Sequence, residues 1–309
     1  MDNSSALTNK SNPDTRKRLK QLVLDSVAAK ESKRAYARAI DNFLDWFESN
    51  RPSTGFTKAT VQTYRSILID SGLSSSTVSL NLTAIRRLAV EATDNGLISQ
   101  DLASAIGRVK GVKRHGLRIG TWLTVTEAET LINRPDVSSL KGKRDKAILA
   151  LLIGCGLRRD EAARLDFEHI QERQKRWLVL DLRGKGGRIR SVPMPSFAKE
   201  AIDEWTAAAK LRAGRIFRSM NRGGKVVGDK MSAQSIFDVV KQYGAEIGSK
   251  STSPHNLRRS FARLAHNGKA SLEQIQTSLG HGSILVTQSY VGILQDLTDA
   301  PCDHLGIKL

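Results

Sequence analysis

The chain has 309 residues, which is enough for two domains that each bury a core of their own. Lysine and arginine total 49 against 31 acidic residues, and the formal net charge of +18 favours a polyanionic partner, with nucleic acid ahead of an anionic membrane surface. No run of about 18 apolar residues occurs, and Met1 to Lys20 is polar and basic, so we expect neither a membrane span nor a signal peptide.

The N-terminal part of the chain shows helical patterns only. Residues 1–15 are rich in serine and asparagine, and we expect residues 1–19 to form a disordered tail. Apolar residues recur at helical spacing at Tyr36, Ile40, Phe43, Leu44 and Phe47, and again at Val78, Leu82, Ile85 and Ala89. A third helix around 58–71 ends at Gly72. Residues 20–108 are therefore predicted to form a small helical domain.

A basic segment rich in glycine follows, and we interpret residues 109–121 as a flexible linker. Its lysine and arginine side chains can approach the phosphates of a nucleic acid. The candidate DNA contacts in this linker are Lys110, Lys113, Arg114 and Arg118.

From Trp122 onward the pattern is mixed. A capped helix is predicted at 124–132 and a buried helix at 146–155. The apolar run 177–182, a glycine turn with Lys185 at its tip, and the run 188–193 predict a β-hairpin. Further helices are predicted at about 197–212, 232–247, 255–267, 271–279 and 283–291. The expected fold class is mainly α with a small antiparallel β-sheet.

Two arginines could hold a phosphate group. Arg158 follows a Gly-Leu step at the end of the apolar helix, and Arg258 lies one helical turn after His255, so His255 and Arg258 are expected to face the same way. A guanidinium stays charged and donates to two phosphate oxygens, so two that converge would stabilise a pentacovalent phosphorane. Taken alone, each arginine is typical of a solvated surface residue.

Three further residues could take part in phosphoryl transfer. Lys185 could protonate a departing 5′-hydroxyl, and His281 could donate to a phosphate oxygen or exchange protons with it. Tyr290 is the candidate nucleophile. A free phenol is ionised in only about one molecule in a thousand at pH 7, a deficit of roughly 4 kcal/mol that neighbouring cations and a base have to supply.

The order of these residues is more specific than any one of them. Arg158-x-x-Glu161, Gly-Lys185-Gly, His255-x-x-Arg258, Leu-Gly-His281 and then Tyr290 resemble the signature of the tyrosine recombinase (phage integrase) family, of the simple two-domain Xer-like or Cre-like type. The resemblance covers about residues 20–295. It implies an N-terminal helical SAM-like core-binding domain and a C-terminal mixed α/β catalytic domain over 122–295.

The resemblance also implies an activity, site-specific DNA recombination by strand cleavage and rejoining. Tyr290 would attack the scissile phosphate to give a 3′-phosphotyrosyl link and a free 5′-hydroxyl. His255 would be its acid/base partner, Lys185 the acid for the leaving oxygen, and Glu161 a supporting carboxylate that orients the site. The groups implied to bind the phosphate oxygens are Arg158, Arg258 and His281. Neither metal, ATP nor any other cofactor is expected.

The implied partners are double-stranded DNA with inverted-repeat sites and a homotetramer on two duplexes, with or without a paired recombinase or a bending protein. Residues 296–309 are apolar enough to dock on a neighbouring protomer, and packing on their own domain is the alternative. The short N-terminus favours the simple two-domain type. We expect a prokaryotic-type protein of the cytoplasm that associates with the nucleoid.

Some positions leave the assignment open. Arg159 stands beside Arg158, and only the three-residue step to Glu161 selects Arg158. Arg259 occupies a position where the family often has histidine, and we expect it to face away from Arg258. Arg183 and Arg188 could compete with Lys185 for the acid role.

Other classes of protein remain as alternatives. A type IB topoisomerase uses the same tyrosine chemistry on one duplex, and a non-catalytic DNA-binding regulator would need cations but no tyrosine. A metal-dependent nuclease would need clustered carboxylates, and the sequence shows no such cluster.

Overall fold

The computed structural model describes residues 13–50, 55–112, 122–184, 187–249 and 251–291, and the chain divides into two compact units, Met1–Gly116 and Leu117–Leu309. The described ranges contain thirteen α-helices, a short 3-10 helix at Phe167–His169 and a single sheet of three strands. None of those helices combines the length and apolar character that a membrane span requires.

The regular elements in the described residues of the first unit are all helices, as predicted. Its helices are α1 Pro13–Asp25, α2 Lys30–Asn50, α3 Lys58–Asp70, α4 Ser75–Asp94 and α5 Gln100–Gly107. The apolar stripes of α2 and α4 form the core, in which Ile40, Leu82 and Ile85 have no exposed surface. Serine or threonine caps the N-termini of α3, α4 and α5 by accepting a backbone N–H from the first turn.

Two predictions for this unit need correction. The expected disordered tail is wrong from residue 13 onward, because α1 begins there and buries Leu19 and Val23 in the core of the unit. Composition suggested disorder because Leu19 stands among basic residues, and it is packing on α2 and α4 that places the helix in the core. The expected linker also begins too early, since Val109 is buried in the same core.

The second unit is built around α7, Leu140–Cys155. Its residues 147–152 are all buried, so the helix is enclosed on every side and shows no amphipathic pattern. It begins earlier than predicted because Ser139 caps it. The helices before and after it are α6 Val125–Asn133, α8 Arg159–Ala163, α9 Ser196–Ala208 and α10 Ala233–Glu246. Thr124 and Glu127 form the predicted capping box of α6.

The sheet has the antiparallel order β1-β2-β3, with β1 Ile170–Arg173, β2 Arg176–Arg183 and β3 Ile189–Pro193. Strands β2 and β3 form the predicted hairpin. The polar strand β1 was not predicted, because its residues carry no apolar alternation. In β3, Arg190 and Val192 point inward while the residues between and beside them are exposed.

Three helices complete the second unit: α11 Pro254–Asn267, α12 Leu272–Leu279 and α13 Ile284–Val291. Helix α13 packs on α11 and α12 through a small apolar cluster that includes Leu279 and Val291. Gly280 ends α12 with a left-handed φ of 64°, a conformation that glycine adopts without strain. The chain therefore turns sharply just before His281.

Candidate active site

A cavity of about 260 Å³ opens where α8, α10 and α11 meet. Arg158, His255 and Arg258 line it, together with Arg159 and the ring of Phe237. Two segments that are about a hundred residues apart in the sequence thus contribute to one cavity. The structure brings the predicted arginines and the first predicted histidine together at this place.

Arg158 and Glu161 form a compact pair at the start of α8. Both the Nη1 and the backbone N–H of Arg158 donate to the carboxylate of Glu161, each over 2.8 Å. Glu161 is buried, whereas about one third of the Arg158 side chain is exposed. The neighbouring Arg159 instead places its guanidinium over the ring of Phe237, 5.8 Å from the centroid. Glu161 therefore selects Arg158 over Arg159.

Arg258 is not a surface arginine, because only 2% of it is exposed. Its Nη1 donates to the carbonyl of Gly156 over 2.6 Å, and its Nη2 donates to the carbonyl of Leu279. Burial and the charges of Arg158 and Arg190 lower the pKa of Arg258 to about 10, at which it is still charged near pH 7. These contacts fix a buried guanidinium at the wall of the cavity.

Tyr290 lies next to both histidines. Its hydroxyl is 3.3 Å from Nδ1 of His255, and its ring meets the ring of His281 edge to face at 4.5 Å between centroids. Burial lowers the pKa of His255 below its ordinary value, and the charges of Arg259, Arg258 and Arg158 lower it further. A neutral imidazole is therefore available within hydrogen-bonding distance of the phenol.

His281 follows α12 and lies in the loop before α13. Its Nδ1 lies 3.0 Å from the hydroxyl of the buried Thr287, which fixes the ring. Burial, followed by the charges of nearby arginines, lowers the pKa of His281 to about 4, so the ring is neutral at pH 7. A neutral ring keeps one N–H as a hydrogen-bond donor.

Arg259 and Arg188 also lie near these groups. The guanidinium of Arg259 stands over the ring of Tyr290 at 5.7 Å and donates to the carbonyl of Ser289, so this residue contacts the helix of the candidate nucleophile. The guanidinium of Arg188 occupies the space that a Cβ at Gly282 would fill, so it lies close to the His281 loop. Lys185, the predicted acid, lies outside the described residues.

The structure adds a residue that the sequence reasoning missed. Arg190 on β3 donates from Nη1 and Nη2 to both carboxylate oxygens of Glu161, each over 2.8 Å. Burial raises the pKa of Glu161, but the hydrogen bonds and charge of Arg190, together with the hydrogen bonds from Arg158, bring it down to about 2. The alternation of β3 with Val192 was the signal that could have placed Arg190 on the inner face.

The electrostatic balance of the site is positive. Four arginines lie at or next to the cavity, against one carboxylate that lines it and one behind Arg158. The arginines are Arg158, Arg159, Arg190 and Arg258, and the carboxylates are Asp160 and Glu161. Such a site favours an anion with several oxygens. The arrangement can hold a phosphate group beside a phenol and a neutral histidine that can accept the phenol's proton.

Of the linker residues predicted to contact DNA, only Lys110 lies in the described part of the chain, where it is exposed. Lys113, Arg114 and Arg118 lie outside the described residues, as does the segment 296–309.

Comparison with known proteins shows the family to which the chain belongs. The family model described as "Phage integrase family" matches residues 121–295. The chain is 31% identical over 277 residues to the tyrosine recombinase XerD of Corynebacterium glutamicum, covering 84% of this chain and 87% of that protein. It is 30% identical over 262 residues to the tyrosine recombinase XerC of Pseudomonas entomophila, covering 83% of each chain.

Solved structures show the same fold. The XerH site-specific recombinase bound to a palindromic difH substrate, in its post-cleavage complex, matches with a TM-score of 0.69 at 20% identity over 85% of this chain and 76% of that chain. A lambda integrase dimer bound to a core site matches with a TM-score of 0.65 at 17% identity over 89% of this chain and 75% of that chain.

The chain belongs to the phage integrase family, the tyrosine recombinases. The predicted family, enzyme class and fold class, a mainly helical two-domain protein with a small antiparallel sheet, are confirmed. The relatives named above are recombinases, which gives no support to a non-catalytic regulator or a type IB topoisomerase.

Proposed function

We propose that this protein recombines DNA at specific sites, cleaving and rejoining strands through a covalent link to Tyr290. The observation that carries the proposal is the Tyr290 hydroxyl, 3.3 Å from a neutral histidine in the same site as the buried Arg258. Membership of the family and the DNA-bound recombinases among the structural neighbours support DNA as the substrate.

In the first step, the Tyr290 oxygen attacks the scissile phosphorus while His255 takes the phenolic proton. The bond from phosphorus to the 5′ oxygen then breaks, which leaves a 3′-phosphotyrosyl link. Lys185 supplies the proton that the leaving 5′ oxygen needs. The low pKa of His255 supports its role, because the imidazole has to be neutral to accept a proton near pH 7.

The phosphate passes through a pentacovalent state with additional negative charge on its non-bridging oxygens. Arg158 and Arg258 bind these oxygens, and His281 adds a hydrogen bond. Thr287 contacts Nδ1 of His281, which leaves Nε2 to donate to the phosphate. Glu161 keeps its charge at any working pH, because its pKa is about 2, and it holds Arg158 in place.

The second step reverses the first with a different strand. A 5′-hydroxyl from the partner duplex attacks the phosphotyrosyl phosphorus and releases Tyr290, so the energy of the broken bond is kept in the covalent link. Hydrolysis of ATP is therefore not needed, and the chemistry is assigned to side chains without a metal.

Exchange between two duplexes needs four cuts, so we assign a tetramer of this chain on two inverted-repeat sites, with a Holliday junction between the two rounds of cleavage. Lys110, together with Lys113, Arg114 and Arg118, contacts the DNA backbone. The protein acts where its substrate is, at the nucleoid.

The segment 296–309 docks on a neighbouring protomer in this assembly. Deleting it is expected to leave binding to a single site intact and to abolish synapsis, which a gel-shift assay with one and two sites measures. Recombination at the normal level by the truncated protein would overturn the docking and would favour packing of the segment on its own domain.

The proposed activity is tested by incubating the protein with a nicked suicide substrate in EDTA and separating the products on a denaturing gel. The wild-type protein is expected to form a covalent adduct, and Tyr290→Phe is expected to form none. Tyr243→Phe is the matched control, because the Tyr243 hydroxyl contacts the buried Asp145 instead of the site. An adduct that persists in Tyr290→Phe would remove the assignment of the nucleophile.

A further inference from the structure

Arg190 makes an unusual set of contacts for a strand residue. Its two Nη atoms each donate to one oxygen of Glu161, and its Nε donates to the carbonyl of Ser278 over 2.7 Å. Only 6% of its side chain is exposed. Burying an arginine to this extent is costly unless its nitrogens have hydrogen-bond acceptors. In Arg190, each of the three side-chain nitrogens donates to an acceptor of its own.

These contacts join three segments that each carry a residue of the proposed site. Glu161 stands on α8 and holds Arg158, Ser278 lies in α12 just before the turn to His281, and Arg190 itself lies on β3. Residues 161 and 190 are 29 positions apart in the sequence, and residues 190 and 278 are 88 apart. One guanidinium thus fixes the relative positions of a strand, a helix start and a helix end.

The backbone around Arg190 is shaped to admit it. A Cβ built on Gly280 would lie 2.8 Å from Cδ of Arg190, closer than such atoms approach in proteins. A side chain at position 280 would therefore push Arg190 away from Ser278. Glycine at position 280 adopts the left-handed conformation without strain, and its lack of a Cβ leaves room for the Arg190 side chain.

Arg158 needs such support, because its side chain is about one third exposed and has many rotamers available. Its one carboxylate partner in the described structure is Glu161, whose two oxygens it shares with Arg190. If Arg190 were absent, Glu161 would lose two of its four hydrogen bonds and would be free to turn. The direction of the Arg158 guanidinium would then no longer be fixed.

We propose that Arg190 is a positioning residue that, through Glu161, aims Arg158 at the scissile phosphate. The inference rests on the proposed function. It assigns no contact between Arg190 and DNA, and it predicts that loss of Arg190 slows cleavage without weakening DNA binding.

The test measures the single-turnover rate of adduct formation on a suicide substrate at saturating protein, together with the Kd for the same DNA. Arg190→Met is expected to lower the cleavage rate constant by about 10- to 100-fold, the effect of misplacing a reacting group by about 1 Å, with little change in Kd. Arg190→Lys, whose ammonium can pair with only one oxygen at a time, is expected to give an intermediate loss.

Arg144→Met is the matched control for a purely structural effect. Arg144 is equally buried, donates from Nε and Nη2 to Asp145, and lies in the same unit away from the cavity. Both methionine variants are expected to have a lower Tm. At a temperature where circular dichroism shows both to be folded, only Arg190→Met is expected to cleave slowly.

A double variant isolates the route through Arg158. If Arg190 acts by aiming Arg158, then adding Arg190→Met to Arg158→Ala is expected to cause little further loss of the cleavage rate. Full additivity in the double variant, equal slowing by Arg144→Met, or normal cleavage by both Arg190→Met and Arg190→Lys would each overturn the inference. A wild-type protein that forms no adduct would overturn the proposed function itself, which is a different result.

Discussion

The second unit contains two buried carboxylates that are bound in nearly the same way. Glu161 accepts four hydrogen bonds, two from Arg158 and two from Arg190. Asp145 also accepts four, two from Arg144, one from Lys141 and one from the hydroxyl of Tyr243. By local chemistry alone the two clusters are difficult to tell apart.

The two clusters differ in whether their excess positive charge faces an open cavity. Beside Glu161, the guanidinium of Arg158 lines a cavity in which the buried Arg258 adds a further positive charge. Around Asp145, the ring of Tyr243 lies under Lys141, and Nη1 of Arg144 donates to the carbonyl of Arg218. The cations of this cluster are thus engaged by groups of the protein itself. A buried ion pair is therefore evidence of a site only when unpaired cations and an opening accompany it.

The two tyrosines show the same contrast. Burial raises the pKa of Tyr243, and the charge and hydrogen bond of Asp145 raise it further, so its hydroxyl acts as a donor and not as a nucleophile. The Tyr290 hydroxyl faces His255 instead, a neutral base. The neighbour of each hydroxyl decides which tyrosine can attack a phosphate.

The largest effect is expected from removing the positive charge of Arg258 at the cavity. Arg258→Met is expected to lower the rate constant of adduct formation by about 10³-fold, because the variant loses a fixed cation that stabilises the pentacovalent phosphate. Arg218→Met is the control, since Arg218 likewise donates to backbone carbonyls, those of Arg215 and Ala213. Equal rates for the two variants would remove Arg258 from the proposed site.

A second prediction exchanges each carboxylate for its amide. Glu161→Gln is expected to slow cleavage by about 10- to 100-fold, because the amide NH2 replaces one of the two accepting oxygens and Arg158 loses its orientation. Asp145→Asn is expected to lower the free energy of unfolding by about 3 kcal/mol and to leave cleavage by the folded protein unchanged. The contrast between the clusters fails if the Asp145 variant, fully folded, cleaves as slowly as the Glu161 variant.

The pH dependence of cleavage offers a third test. The base has to be neutral, and the pKa of His255 is lowered by burial and then by Arg259, so the rate is expected to fall only when the pH drops below the ordinary histidine range. Arg259→Gln removes part of the shift and is expected to move this fall to higher pH. Arg259→Lys keeps the charge and should leave the profile in place. An unchanged profile in Arg259→Gln would argue against His255 as the base.

The smallest expected effect is that of Tyr243→Phe. Asp145 loses one of its four donors, so the free energy of unfolding is expected to fall by about 1 kcal/mol, as denaturant titration would measure. The cleavage rate constant is expected to stay at the wild-type value. A slowed rate in this variant would show that the Asp145 cluster contributes to catalysis and does not only stabilise the fold.

Much of the fold was predictable because the signals are local. The stripes of α2 and α4, the capping box of α6 and the hairpin of β2 and β3 each depend on spacings of a few residues, and the structure contains all of them. Helices α1, α5 and α8 and strand β1 were missed, because α5, α8 and β1 are short and α1 lies in a stretch whose basic composition suggested disorder. Only packing against distant residues makes α1 part of the core.

By itself, the sequence determined which chemical groups are available and in what order they follow one another, because residue type and local spacing are properties of the chain. The tertiary structure decided which of these groups meet. His255 and Tyr290 are 35 residues apart, and Arg258 donates to a carbonyl 102 residues away. It also decided that Arg190 joins the Glu161 cluster and that Arg258 is buried, since burial and contact depend on long-range packing that no local pattern records.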